Sequence, residues 1–194
     1  MTPFRTMTPL RTIIGPYSGS LRRFARDRDA VSAMEFAIVL PVMLLLYIGG
    51  VELGDGLQIQ FKVTETARTI TDLASQYISI QSSDMSNILA AASSVVAPYS
   101  TSNITMTVSE VTTNPQGQGT ITWSCSLNGT PHTVGATIIL PANLQTPNIS
   151  LIWGEVTYPY TPPMGYVISG TINLYQSNYF YPRLVNLITL PQGC

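Results

Sequence analysis

Sixteen consecutive residues, Phe36 to Val51 (FAIVLPVMLLLYIGGV), carry no charge and are bounded by Glu35 and Glu52. As a helix they would measure about 24 Å at 1.5 Å per residue, and adding Val31 to Glu35 gives about 31 Å, the hydrocarbon thickness of a bilayer. The charges on either side are unequal. Arg5, Arg11, Arg22, Arg23, Arg26 and Arg28 outnumber Asp27 and Asp29 before the run, a surplus of four positive charges. From Val31 onward Lys62, Arg68 and Arg183 face eight acidic residues, a surplus of five negative charges. The 194-residue chain thereby totals only −1, with 10% charged residues and a mean hydropathy of +0.22. That charge content is well under the roughly 25% of soluble domains, and it excludes charge-rich disorder as a description of the whole chain.

The arginine excess places the N-terminus in the cytoplasm and the rest outside. A buried core helix is the bland alternative, but such helices rarely carry an arginine cluster on one flank only. A secretory signal peptide is the second rival. The apolar run exceeds the usual h-region of roughly 7 to 15 residues, and GGVELGDGLQIQFKV after it offers no small-x-small cleavage site. The reading that follows is a retained anchor.

Glu35 stands out at the entrance to this run. An ionisable group in a membrane segment is a functional hypothesis by default, and at a helix N-terminus a carboxylate gains from the helix dipole. A cut between Ala30 and Val31 would make Glu35 the fifth residue and leave a new ammonium one helical turn away. The plainer alternative is a carboxylate resting among headgroups.

Arg22 to Gly54 (RRFARDRDAVSAMEFAIVLPVMLLLYIGGVELG) resembles the N-terminus of TadE/TadG-like proteins, the minor pseudopilins of tight-adherence (Flp) pilus systems. The resemblance rests on a basic leader, a small residue before the cut, a Glu at mature position five, an aromatic at six and a Pro in the apolar helix. Ala30, Glu35, Phe36 and Pro41 fill those roles, with Ala30 standing where the strictest pattern has Gly. It extends to Trp123, Ile139-Leu140-Pro141, Glu155 to Pro162, Tyr181-Pro182-Arg183 and Cys194. It implies a processing site at Ala30 and Val31, assembly contacts through Glu35 and Phe36, and a prepilin peptidase, other pilins and the pilus assembly machinery as partners. The implied location is the inner membrane, single-pass, with entry into an extracellular pilus. The length favours the TadE-like branch, since longer TadG members add a von Willebrand-type domain.

The residues beyond the anchor predict an α+β fold, a long N-terminal helix packed on an antiparallel sheet. Pro41 predicts a bend or a melted turn. Leu57, Phe61, Thr64, Ala67, Ile70, Leu73, Tyr77 and Ile80 recur at helical steps and extend the helix outward. Gly50 and Gly54 form a lone GxxxG, a close-approach site or a hinge. Asp84 to Ala97 reads as a second helix ending before Pro98. Strands are expected at Asn103–Thr113, Gly119–Leu127, Ile149–Pro159 and Gly165–Tyr175, with a shorter one at Thr133–Ile139. Turns fall at Asn114-Pro115-Gln116-Gly117 and, as a tight hairpin, at Asn128-Gly129. The organisation is a cytoplasmic leader over 1–30, a membrane helix over 31–54, a helical extension and second helix over 55–100, and a periplasmic sheet domain over 101–194.

Cys125 and Cys194, an even pair on the external side, suit a disulfide in an oxidising compartment, with two free thiols as the alternative. His132, the sole histidine, reads as a loop residue. No P-loop, GxGxxG, CxxC or HExxH occurs, so no enzyme activity, metal or cofactor is expected. Glu52 and Asp55 read as a solvated helix face at the membrane exit. The leader arginines are explained by anionic lipid, so no nucleic-acid partner is expected. The rival function is a membrane-anchored envelope protein whose outer β-rich domain binds a ligand or surface, as an adhesin does.

Overall fold

The computed structural model describes residues 28–165, 169–190 and 194, so the leader up to residue 27 lies outside the described residues. The fold is α+β. Helix α1 runs over Arg28–Ser75, 48 residues, and α2 over Ser82–Ser94. Five strands follow: β1 Thr105–Thr113, β2 Gly119–Leu127, β3 Thr137–Ile138, β4 Ser150–Tyr160 and β5 Ile172–Phe180. They form one sheet in the order β3-β2-β1-β4-β5, antiparallel at every junction.

Two compact units divide between Tyr47 and Ile48. The first holds the start of α1, whose side chains from Val31 to Leu46 are exposed. It is long and apolar enough to cross a membrane. The helix is unbroken across Pro41, so the expected melted turn does not form.

In the second unit the same helix buries Glu52, Ile59, Val63, Thr66, Ala67, Ile70, Thr71 and Ala74, a stripe at three- and four-residue steps. The expected stripe is therefore wrong at its start. Leu57 and Phe61 are 51% and 72% exposed, whereas Ala67, Ile70 and Ile80 are buried and Leu73 and Tyr77 pack partly buried against the same core. Apolar residues line both faces of this stretch, and periodicity alone does not say which one meets the sheet. The meeting point is Gly154 on β4, where an added Cβ would lie 2.1 Å from Thr71 Oγ1 and 3.2 Å from the Ala67 carbonyl. Only a glycine allows the helix this close. Gly50 and Gly54 face open space instead.

The second helix starts two residues before its expected position because the Asp84 carboxylate accepts the Gln81 N–H at 3.0 Å, capping the turn ahead of it. It ends at Ser94, short of Ala97.

The first two strands and β4 fall where expected within two residues. β5 does not. It begins at Ile172 and runs on to Phe180, because Gly170 at φ +90° breaks any extension upstream. Residues 166–168 of the expected strand lie outside the described residues. The short strand shrinks to Thr137–Ile138, since Gly135 at φ +84° turns the chain just before it. Asn114 forms its turn as expected, with its side-chain oxygen accepting the N–H groups of Gln116 and Gln118 at 3.0 and 2.9 Å. Asn128, at φ +54°, leads into a longer loop and not a tight hairpin.

The principal core lies between the helices and one sheet face and includes Val63, Ile70, Met85, Ile88, Met106, Val108 and Val156. A smaller cluster of Val111, Ile121, Leu140 and Leu151 occupies the other face. Leu151 and Ile152 are neighbours on β4 yet belong to different clusters, as strand alternation requires.

Candidate functional site

The residues singled out from sequence fall into separate places. Ala30 and Val31 both lie in the first turns of α1, and Val31 is 50% exposed. Glu35 is exposed, and among the described residues it has no hydrogen bond or ion pair within the chain. Phe36 beside it is 60% exposed. Among the described residues this carboxylate and aromatic ring, displayed on an apolar rod, meet no partner.

Cys125 and Cys194 are joined by a disulfide, with Cα atoms 5.6 Å apart. Closing a loop of 69 residues is worth about 4 kcal/mol in the loop-entropy model. The bond is one of several fastenings on the segment after β5. The Arg183 guanidinium pairs with Asp72, and its backbone N–H donates to the Ser75 carbonyl at 2.9 Å. Ser79 bridges Thr189, and the Ile80 N–H donates to the Thr189 carbonyl at 2.9 Å. The Trp123 indole N–H donates to the Ile188 carbonyl at 2.8 Å.

Beneath this segment lies Glu110, fully buried. Its Oε1 accepts the Ser150 hydroxyl and the Ile188 N–H, each at 2.7 Å, while Oε2 has no partner. Burial pushes its pKa above the ordinary 4.5, outweighing the hydrogen bonds from Ile188 and Ser150 that pull the other way. Sequence reading left Glu110 unremarked, although a charge inside the alternating run TMTVSEVTT at a core-facing position is a detectable signal.

Glu52 corrects the expectation of a solvated face. It is 1% exposed, and its backbone carbonyl accepts the Tyr160 hydroxyl at 3.1 Å. Asp55 remains half-buried. Burial raises the Tyr160 pKa, and the nearby Asp55 and Glu52 raise it further.

His132 does sit in a loop, but that loop folds over the sheet. Its ring stacks on Trp153 with centroids 4.7 Å apart, and Trp153 stacks on Tyr179 at 5.7 Å. The Glu155 carboxylate takes His132 Nε2 on one oxygen and the Tyr175 hydroxyl, at 2.7 Å, on the other. Tyr175 is pushed up to about 12, first by burial and then by Glu155. The neighbouring Ser109 and Ser124 hydroxyls bond each other at 2.8 Å, and Ser124 Oγ accepts the His132 backbone N–H. Among the described residues no serine hydroxyl bonds the imidazole, so they assemble no nucleophile–histidine–carboxylate relay. The cluster fastens the loop and β5 to the sheet. Among the described residues no group of three or more His, Cys, Asp or Glu gathers as for a metal.

Comparison with curated proteins and with solved structures yields no match. One family model does match, and it covers residues 30–71. It stops short of Trp123, Tyr181 and the other distal stretches. The matched segment holds Glu35, Phe36 and Pro41, and over those residues the chain is similar to TadE-like proteins.

Proposed function

We propose that this chain is a minor pseudopilin-like structural and assembly protein of a tight-adherence (Flp), type IV-like pilus. A TadE-like helix suggests a Tad pilus-associated structural component with one membrane helix. In the finer reading a prepilin peptidase cuts between Ala30 and Val31, the inner membrane holds the helix with its N-terminus cytoplasmic, and the sheet domain is periplasmic. Glu35 and Phe36 then meet neighbouring pilin helices, where a buried acid selects register. The supporting observation is the exposed apolar start of α1, with a carboxylate that has no partner among the described residues, inside the matched residues.

Sequencing the mature N-terminus tests the processing step. A start at Val31 is expected, and a chain beginning near Met1 in cells that hold the peptidase overturns it. Glu35→Gln should leave membrane insertion intact while reducing co-assembly with partner pilins at least several-fold. Undiminished pilus formation counts against the role.

A further inference from the structure

Residues 181–190, after β5, add no strand to the sheet and lie against it as a strap. Its grip is concentrated at one place. Glu110 and Trp123 are directly opposed across β1 and β2, and together they hold both backbone groups of Ile188. The Glu110 carboxyl accepts the Ile188 N–H at 2.7 Å, and the Trp123 indole N–H donates to the Ile188 carbonyl at 2.8 Å. Ile188 is also the only buried residue of 181–190. A single cross-strand pair therefore clasps the strap at its one inward side chain.

One half of that clasp is an acid. The Glu110 carboxyl is fully buried, its Oε2 has no partner, and among the described residues no cation pairs with it. Asp72 and Tyr77 around the end of α1, Tyr158 and Glu155 on β4, and Tyr181 and Arg183 on the strap leave its ionisation untouched. A buried carboxyl without a counter-charge keeps its proton until water reaches it. A cavity of about 280 Å³ lies between the start of β4 and the strap, lined by Asn148, Ser150, Tyr181, Pro182, Val185 and Asn186. Ser150, on its wall, is the residue whose hydroxyl bonds Glu110. Water in this cavity is one side chain away from the acid. Of the elements around Glu110, β2 and β4 are paired along β1, whereas the strap is held by isolated bonds to Ser75, Ile80 and Asp72 and by the disulfide at its end. The strap is the element that yields.

We propose that Glu110 is a proton-operated latch: protonated, it clasps the strap beside Trp123, and ionised, it lets the strap lift so that water enters from the cavity. The Cys125–Cys194 bond tethers the far end, so the lifted strap returns. Burial raises the Glu110 pKa above 4.5 in the closed state, and hydration restores the ordinary value in the open one. Closure is therefore strongest below 4.5 and is lost as pH rises through the higher, closed-state value.

Hydrogen exchange of the detergent-solubilised full chain tests the latch, read by mass spectrometry from about pH 4 to about pH 8 and corrected for the intrinsic pH dependence of exchange. Protection over residues 181–190 should fall at least about tenfold across that range, the effect of one pKa unit, while β1 and β4 keep theirs. Glu110→Gln should abolish the fall. Strap protection that stays constant in the wild type overturns the proposal, as does an equal fall in Glu110→Gln or a fall shared equally by β1 and β4. The wild-type comparison of strap with strands decides the matter even where the variant fails to fold, and retention of the Cys125–Cys194 disulfide reports the fold of each sample.

Discussion

One helix, two surroundings: from Val31 to Leu46 every side chain of α1 is exposed, whereas from Ile59 to Ser75 residues at three- and four-residue steps are buried. The first part is apolar all round, as a segment solvated by lipid must be. The second is amphipathic, with Arg68 and Glu65 outward and Ile70 inward. Residue type follows the solvent on each side, and a single backbone continues through both. Packing energy for the sheet domain should therefore reside entirely in the second part.

Truncating Ile70, fully buried over β4, should lower the stability of the sheet domain by about 2 to 5 kcal/mol. The same truncation at Leu45 should leave the domain's thermal midpoint unchanged, as near-ultraviolet circular dichroism of the detergent-solubilised chain would read. Equal losses at both positions would erase the distinction. Replacing Cys125 and Cys194 by serine should cost about 2 to 4 kcal/mol in the same domain, measured by urea unfolding.

Glu110 sharpens the comparison from the polar side. Its folded pKa is raised, so the stability it allows is fully present below the unfolded value of 4.5 and is lost as pH rises through the higher folded value. Glu110→Gln keeps the carbonyl acceptor for Ser150 and Ile188 but cannot ionise. The variant should be the more stable near neutral pH, and its stability should fall less across that window. Identical pH profiles for the two proteins would contradict this. The smallest effect belongs to Asp72→Ala. It removes the Arg183 ion pair, whose partners are 35% and 55% exposed, and should change stability by about 0.2 to 1 kcal/mol, and by less in high salt.

Much of this architecture is legible in the residues. The charge step around Phe36–Val51 and the two-residue period after Ser102 each report a local preference, and helix-then-strand order gives the class. The strands with the strongest alternation, β1, β2 and β4, are placed within two residues. β5 is misplaced because alternation extends on both sides of Gly170, and only the backbone there ends it. The stripe on α1 is misassigned over Leu57 and Phe61 because hydrophobicity is present on two faces. Of the site residues, the cysteine pair is found from parity and compartment, while Glu52, Glu110 and the His132–Trp153–Glu155 cluster are not. Their partners lie 20 to 108 positions away in sequence, beyond any local pattern.

By itself the chain of residues determines that a long apolar helix leads an antiparallel sheet, because charge, period and turn chemistry act over a few neighbours. Tertiary structure alone decides which face of that helix is covered, that Gly154 admits it, and that two carboxylates end up buried. Those outcomes depend on distances between segments far apart in sequence, and they are fixed only when helix and sheet pack against each other.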